Sequence, residues 1–125
     1  MTVKLIITDL DNTLYDWVTF YSKSFDAMVS LICKETLLDK NSLLLEYRNV
    51  HRKYKNSEQP FATLDLPSIQ EFFGTKDRKE LGHKLKFAFD EFSRVRNDTL
   101  KLYPGVRETL IELKNRGVII VGHTE

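Results

Sequence analysis

The sequence predicts an α/β fold in which two parallel strands are separated along the chain by a long helical insertion. Three observations carry this. Val3-Lys4-Leu5-Ile6-Ile7-Thr8 is a short apolar, β-branched run that ends abruptly in the polar cluster Asp9 to Thr13, the pattern of a buried parallel strand. Val118-Ile119-Ile120-Val121 has the same character, is bounded by Gly117 and Gly122, and follows a helical pattern. Between them, over about residues 14–103, apolar positions recur at helical rather than strand spacing.

Taken in order, the first strand leads into the helical insertion. Trp17, Tyr21, Phe25, Met28 and Ile32 fall on one face of a first helix. Leu43, Tyr47, Val50 and Tyr54 mark a second, with Asn41 as its expected N-cap. Asp65, Pro67 and a stop at Gly74 bracket a short third helix, and Leu81, Leu85, Phe89, Phe92 and Arg96 suggest a single fourth. Val106, Leu110 and Leu113 then repeat at helical spacing, with Pro104 and Gly105 at the start and Gly117 at the end, and the second strand follows. The expected division is therefore 1–13 with 104–125 as an α/β core, and 14–103 as the insertion. The two junctions, near Tyr15 and near Leu102 to Pro104, are expected to lie close together as a hinge pair.

Composition narrows the classes of function. The chain has 125 residues, 19 basic and 18 acidic side chains, 42% hydrophobic content and 11% aromatics, the profile of a globular domain with a real core. A formal net charge of +1 provides no general field for nucleic acid or an anionic membrane, so neither is an expected partner. The one cysteine, Cys33, forms no internal disulfide framework and reads as core packing in an apolar helix. With no apolar run of spanning length and no hydrophobic leader before the first strand, the expected location is cytoplasmic.

The sharpest chemical signal is Asp9-Leu10-Asp11-Asn12-Thr13. Carboxylates two residues apart leave the strand on the same side, and they do so at its carboxyl end, where open α/β sheets bind ligands. One carboxylate can attack an electrophile while the other handles a proton on the leaving group. Beside a phosphate dianion two such charges repel, which calls for a divalent cation such as Mg²⁺.

Ile6-Ile7-Thr8-Asp9-Leu10-Asp11-Asn12-Thr13-Leu14 resembles the first motif of the haloacid dehalogenase (HAD) superfamily. Tyr103-Pro104-Gly105-Val106 through Gly117 resembles the approach to its second motif, and Val118-Ile119-Ile120-Val121-Gly122-His123-Thr124 the second motif itself. The helical insertion resembles that family's C1-type cap. The resemblance implies a HAD-like Rossmannoid parallel sheet, incomplete in this chain, with an inserted helical cap. It further implies a Mg²⁺-dependent phosphatase acting on a small phosphorylated substrate. In that reading Asp9 is the nucleophile that forms an aspartyl-phosphate, and Asp11 protonates the leaving oxygen and then activates water. Both belong to the metal site. Thr124 and Asn12 bind phosphate, and Thr13 supports the turn. Asn12 stands where many members carry Gly, and Asn tolerates the left-handed backbone better than most residues. Asp11 also favours phosphate esters over haloacids, because a halide leaves without needing a proton.

The resemblance implies two further motifs after the second, a lysine near the nucleophile and a set of acids completing the metal site. The chain's last residue is Glu125. The expectation is thus that residues 1–125 are the N-terminal portion of a longer protein, impaired alone and prone to self-association through unpaired strand edges. A non-catalytic remnant or helical interaction module is the alternative. A receiver domain lacks a helical insert of this length, and nothing here resembles the nucleotide-sugar domain of a DxD glycosyltransferase.

Other features read more plainly. Tyr47-Arg48-Asn49-Val50-His51-Arg52-Lys53-Tyr54-Lys55 reads as a solvated helix face with tyrosine buried, contact with an anionic substrate being the rival reading. His51, His83 and His123 are scattered without partners at ligand spacing, so no zinc site is expected. His123 reads equally as a pocket-lining or a structural histidine. Tyr15 and Trp17 are expected to pack at the hinge.

Overall fold

The computed structural model describes residues 2–124. Two strands and six α-helices follow one another as β1 (Leu5–Asp9), α1 (Trp17–Thr36), α2 (Lys40–Tyr54), α3 (Pro67–Phe73), α4 (Arg78–Lys84), α5 (Lys86–Thr99), α6 (Val106–Asn115) and β2 (Ile119–His123), with a 3₁₀ segment, Pro60–Asp65, before α3. The described chain divides into two compact units, residues 2–20 with 99–124, and residues 21–98.

In the first unit β1 and β2 pair in parallel, in a register that runs from Leu5 opposite Ile119 to Asp9 opposite His123. Gly105 begins α6 at φ 83° and Gly117 closes the turn after it at φ 76°, left-handed conformations that favour glycine. Ile6 and Thr8 line a shallow groove with Val106, Leu110 and Leu113, so α6 lies over that face of the sheet. The opposite face is open: Leu5 is 50% exposed, Ile7 66% and Ile119 63%. This corrects the expectation of a strand buried on both faces. Its apolar pattern is that of a covered strand, but the second face has no covering element among the described residues. The points where the helical segment leaves and re-enters this unit are joined. Tyr103 N–H donates to the Leu14 carbonyl at 2.8 Å, and Tyr15 bridges Leu102 in antiparallel fashion.

The second unit holds nearly all of the core. Met28, Val29 and Ile32 of α1 and Leu43, Tyr47 and Val50 of α2 pack with Ala62, Leu64, Leu66, Ile69, Leu81, Leu85, Ala88 and Phe92. Of the apolar residues buried among the described ones, only Phe20 belongs to the first unit. Cys33 packs against the core, and burial pushes its thiol pKa up. The buried Tyr47 and Thr63 hydroxyls satisfy one another. The Thr63 hydroxyl donates to the Pro60 carbonyl at 2.6 Å and so receives the bond it shares with the Tyr47 hydroxyl.

Three local expectations change. The N-cap of α2 is Asp39, whose carboxylate accepts from Ser42 N–H at 2.8 Å and from the Ser42 hydroxyl at 2.9 Å, while Asn41 lies inside the helix. Leu66 rather than Asp65 precedes α3, which stops at Gly74 (φ 68°) as anticipated. The single fourth helix is two. Leu85 turns out of helical geometry at ψ 5°, yet the ladder continues across it, Leu85 N–H reaching Leu81 O at 2.8 Å and Phe89 N–H reaching Leu85 O at 3.2 Å. Leu81, Leu85, Ala88 and Phe92 therefore still form one buried face.

Candidate active site

The site is built where β1 ends. Asp9 is the last residue of the strand, paired in register with His123 at the end of β2, and Thr124 follows one residue further on. Gly122 sits beside Leu10: a Cβ there would stand 3.0 Å from Leu10 Cδ2, so a side chain at 122 would displace Leu10 from its seat in the turn.

Beyond Asp9 the backbone folds tightly back. Thr13 N–H and Leu14 N–H both donate to the Leu10 carbonyl, at 3.2 and 3.0 Å, and Asn12 takes the left-handed conformation at φ 55° that the turn requires. The fold of the turn brings Thr13 back to the nucleophile candidate, its hydroxyl donating to Asp9 Oδ2 at 3.1 Å. Asn12 Oδ1 accepts from Trp17 N–H at 2.9 Å, fastening the turn to the start of α1. Asp16 caps the same helix, accepting from Thr19 N–H at 3.0 Å and from its hydroxyl at 2.5 Å, and these bonds hold its carboxyl below the ordinary range.

Asp11 is half-buried and is gripped from one side. The Tyr15 hydroxyl donates to Asp11 Oδ1 at 2.5 Å, and Tyr15 also forms a bridge with Asp11 through the backbone. The hydrogen bond to Asp11, then burial, then the negative charges of Asp11 and Asp9 push the Tyr15 pKa up to about 12. The Tyr15 ring meets Phe20 edge-on with centroids 5.9 Å apart. Tyr15 is the partner of Asp11 that sequence reasoning missed. Its packing was anticipated, but its bond to Asp11 was not, although the four-residue spacing across a turn containing Asn12 was the available signal.

The turn thus presents two carboxylates in different settings. Asp9 is exposed, with Oδ2 engaged by Thr13; Asp11 is partly covered, with Oδ1 engaged by Tyr15. Each keeps its other oxygen for chemistry. Carboxylate oxygens of this kind suit a hard divalent cation, which takes one or two carboxylates and completes its shell with water and substrate phosphate. Among the described residues no group of three or more His, Cys, Asp or Glu side chains is placed to hold a metal ion. Thr124 and His123 end the neighbouring strand, both exposed; His51 and His83 lie in the other unit. Among the described residues no helix is long and apolar enough to cross a membrane.

A parallel strand pair that delivers two carboxylates from its carboxyl end into a tight turn, with a hydroxyl residue just beyond the adjacent strand, forms the ligand-binding end of an α/β sheet. The chain matches the family described as haloacid dehalogenase-like hydrolase over residues 3–123, and it belongs to that family. A comparison with curated proteins found no match.

Proposed function

We propose that the protein is a Mg²⁺-dependent phosphatase that cleaves a small phosphorylated metabolite through an aspartyl-phosphate. The observation that carries this reading is the pair of carboxylates held in distinct settings on one turn: Asp9 steadied by Thr13, and Asp11 steadied by Tyr15. A hydrolase that expels halide has no use for the second acid, whereas a phosphate ester leaves as an alkoxide that needs a proton.

In the first half-reaction an Asp9 carboxylate oxygen attacks phosphorus, the bond from phosphorus to the ester oxygen breaks, and the proton carried by Asp11 goes to the departing oxygen. Tyr15 occupies Oδ1 of Asp11, so Oδ2 is the atom left to hold that proton. In the second half-reaction Asp11, now a carboxylate, takes a proton from water as the water oxygen attacks phosphorus. The Asp9–phosphorus bond breaks, releasing inorganic phosphate and restoring both side chains. Thr124 and Asn12 fit the part of phosphate ligands. Asn12 Oδ1 is committed to Trp17, which leaves its amide nitrogen and backbone N–H as donors. Asp9 and Asp11 would hold Mg²⁺, which when bound offsets the negative charge of the phosphate and the two acids. In this reading residues 14–103 are an inserted cap that sets substrate choice.

The test is phosphate release from a panel of sugar phosphates and nucleotides by the native protein with Mg²⁺. Expected are turnover that chelation abolishes, and its loss in Asp9→Asn. Turnover that survives Asp9→Asn rejects the mechanism. An absence of turnover together with no Mg²⁺-dependent change in the protein favours a non-catalytic binding module.

A further inference from the structure

Within the helical unit, an open cavity of about 540 Å³ lies along the C-terminal half of α2. Its wall carries Arg48, Arg52 and Lys55, spaced by four and three residues and so on one side of the helix, all exposed. Among the described residues none of the three forms an ion pair. The partial negative charge at the end of α2 accounts for Arg52 in its last turn and Lys55 at its C-cap, but not for Arg48 further upstream.

The same cavity is aromatic on its inner side, where Phe25 and Tyr47 meet at 4.9 Å between centroids and His51 packs against both. His51 is part of the lining, and its Nε2 is buried without a hydrogen-bond partner. Burial lowers the pKa of this imidazole against the opposing pull of a backbone hydrogen bond with Gln59. The rim is fixed by Tyr21, whose hydroxyl donates to the Ser57 carbonyl at 2.7 Å.

We propose that this cavity is a binding site for a small organic phosphate, its oxyanion held by Arg48, Arg52 and Lys55 and its apolar body set against Phe25 and Leu44. A guanidinium pair supplies forked donors matched to phosphate oxygens, and the ring lining favours a ligand with an aromatic or apolar part over the bare ion. The site is built from residues of the helical unit alone and does not rest on the hydrolase reading.

Phenylphosphonate is the probe, because its carbon–phosphorus bond resists hydrolysis and separates binding from turnover. Titrated into the native protein and followed by amide NMR, it is expected to shift resonances of residues 47–57. The Arg48→Gln/Arg52→Gln double variant, checked for folding by circular dichroism, is expected to bind at least tenfold more weakly. Asp9→Asn is expected to leave these shifts in place. Shifts confined to residues 8–13 and 122–124, or an unchanged affinity in the folded double variant, overturn the proposal. Inorganic phosphate binding as tightly as phenylphosphonate overturns the role given to the aromatic lining.

Discussion

The hydroxyl of Tyr15 donates to Oδ1 of Asp11 across 2.5 Å, four residues along a turn that begins at the end of β1. A hydrogen bond to a charged group contributes roughly 1.5–3 kcal/mol, and it also fixes which carboxylate oxygen stays free. Tyr15→Phe removes the donor and keeps the ring that packs on Phe20. In the phosphatase reading it is expected to lower kcat about tenfold or more with little change in KM. An equal rise in KM with kcat unchanged points instead to a role in ground-state binding alone.

Alkaline titration reads the same contact. Tyr15 and Tyr21 both titrate near about 12, Tyr15 through its bond to Asp11 and Tyr21 chiefly through burial, and Tyr47 is raised further by burial. A phenol whose pKa is raised on folding stabilises the fold fully below its ordinary value near 10.0. That contribution is lost as pH climbs from there through about 12. Ultraviolet titration of phenolate is expected to show a late phase that shrinks by one tyrosine in Tyr15→Phe. A late phase of unchanged size contradicts the assignment.

Tyr47 and Thr63 share a fully buried hydrogen bond in which Tyr47 is the donor. Tyr47→Phe leaves a Thr63 acceptor without its partner and is expected to cost about 1–2 kcal/mol in denaturant unfolding. Thr63→Ala orphans the Tyr47 hydroxyl and the Pro60 carbonyl together and is expected to cost more. The reverse ranking conflicts with the direction of donation.

Stability is expected to be uneven. Met28, Ile32, Leu81 and Leu85 are fully buried, whereas no residue of β1, α6 or β2 is. An isolated two-stranded sheet is marginal in water, and here α6 alone covers one face among the described residues. Hydrogen exchange should therefore protect amides of α1, α2 and α4 well beyond those of the strands, the gap reporting local opening rather than global unfolding. Uniform protection would show that the α/β unit is held by more than its own contacts.

Much of the architecture was legible in the residues, and the failures have physical causes. The strands and α6 stood out because Gly105, Gly117 and Gly122 punctuate them and their apolar runs are short. The break at Leu85 was hidden because its two helices share one continuous buried face, and periodicity senses faces rather than single dihedral angles. The segment Pro60–Asp65 has no α-helical period to detect. Asp39 and Asn41 are both good capping residues, and only the seat of Ser42 N–H decides between them. The Asp9–Asp11 pair stood out by its spacing after an apolar run, whereas the bond from Thr13 to Asp9 is visible only in the fold. Tyr15 was not found as the partner of Asp11, because an aromatic after a turn reads first as packing.

The joining of Leu14 to Tyr103 bears on how the chain finds its fold. Leu5 pairs with Ile119 across roughly 110 residues of intervening chain. Closing a flexible loop of that length costs about 4 kcal/mol in entropy, more than a lone strand pair readily repays. The hydrogen bond from Tyr103 to Leu14, with the Tyr15–Leu102 bridge beside it, moves the point of closure to the base of the strands. Once residues 21–98 have collapsed on their own core and these junctions are pinned, β1 and β2 meet as though joined by a short connection. The long detour through helices then acts as a clasp on the strand pair that carries the Asp9–Thr13 turn.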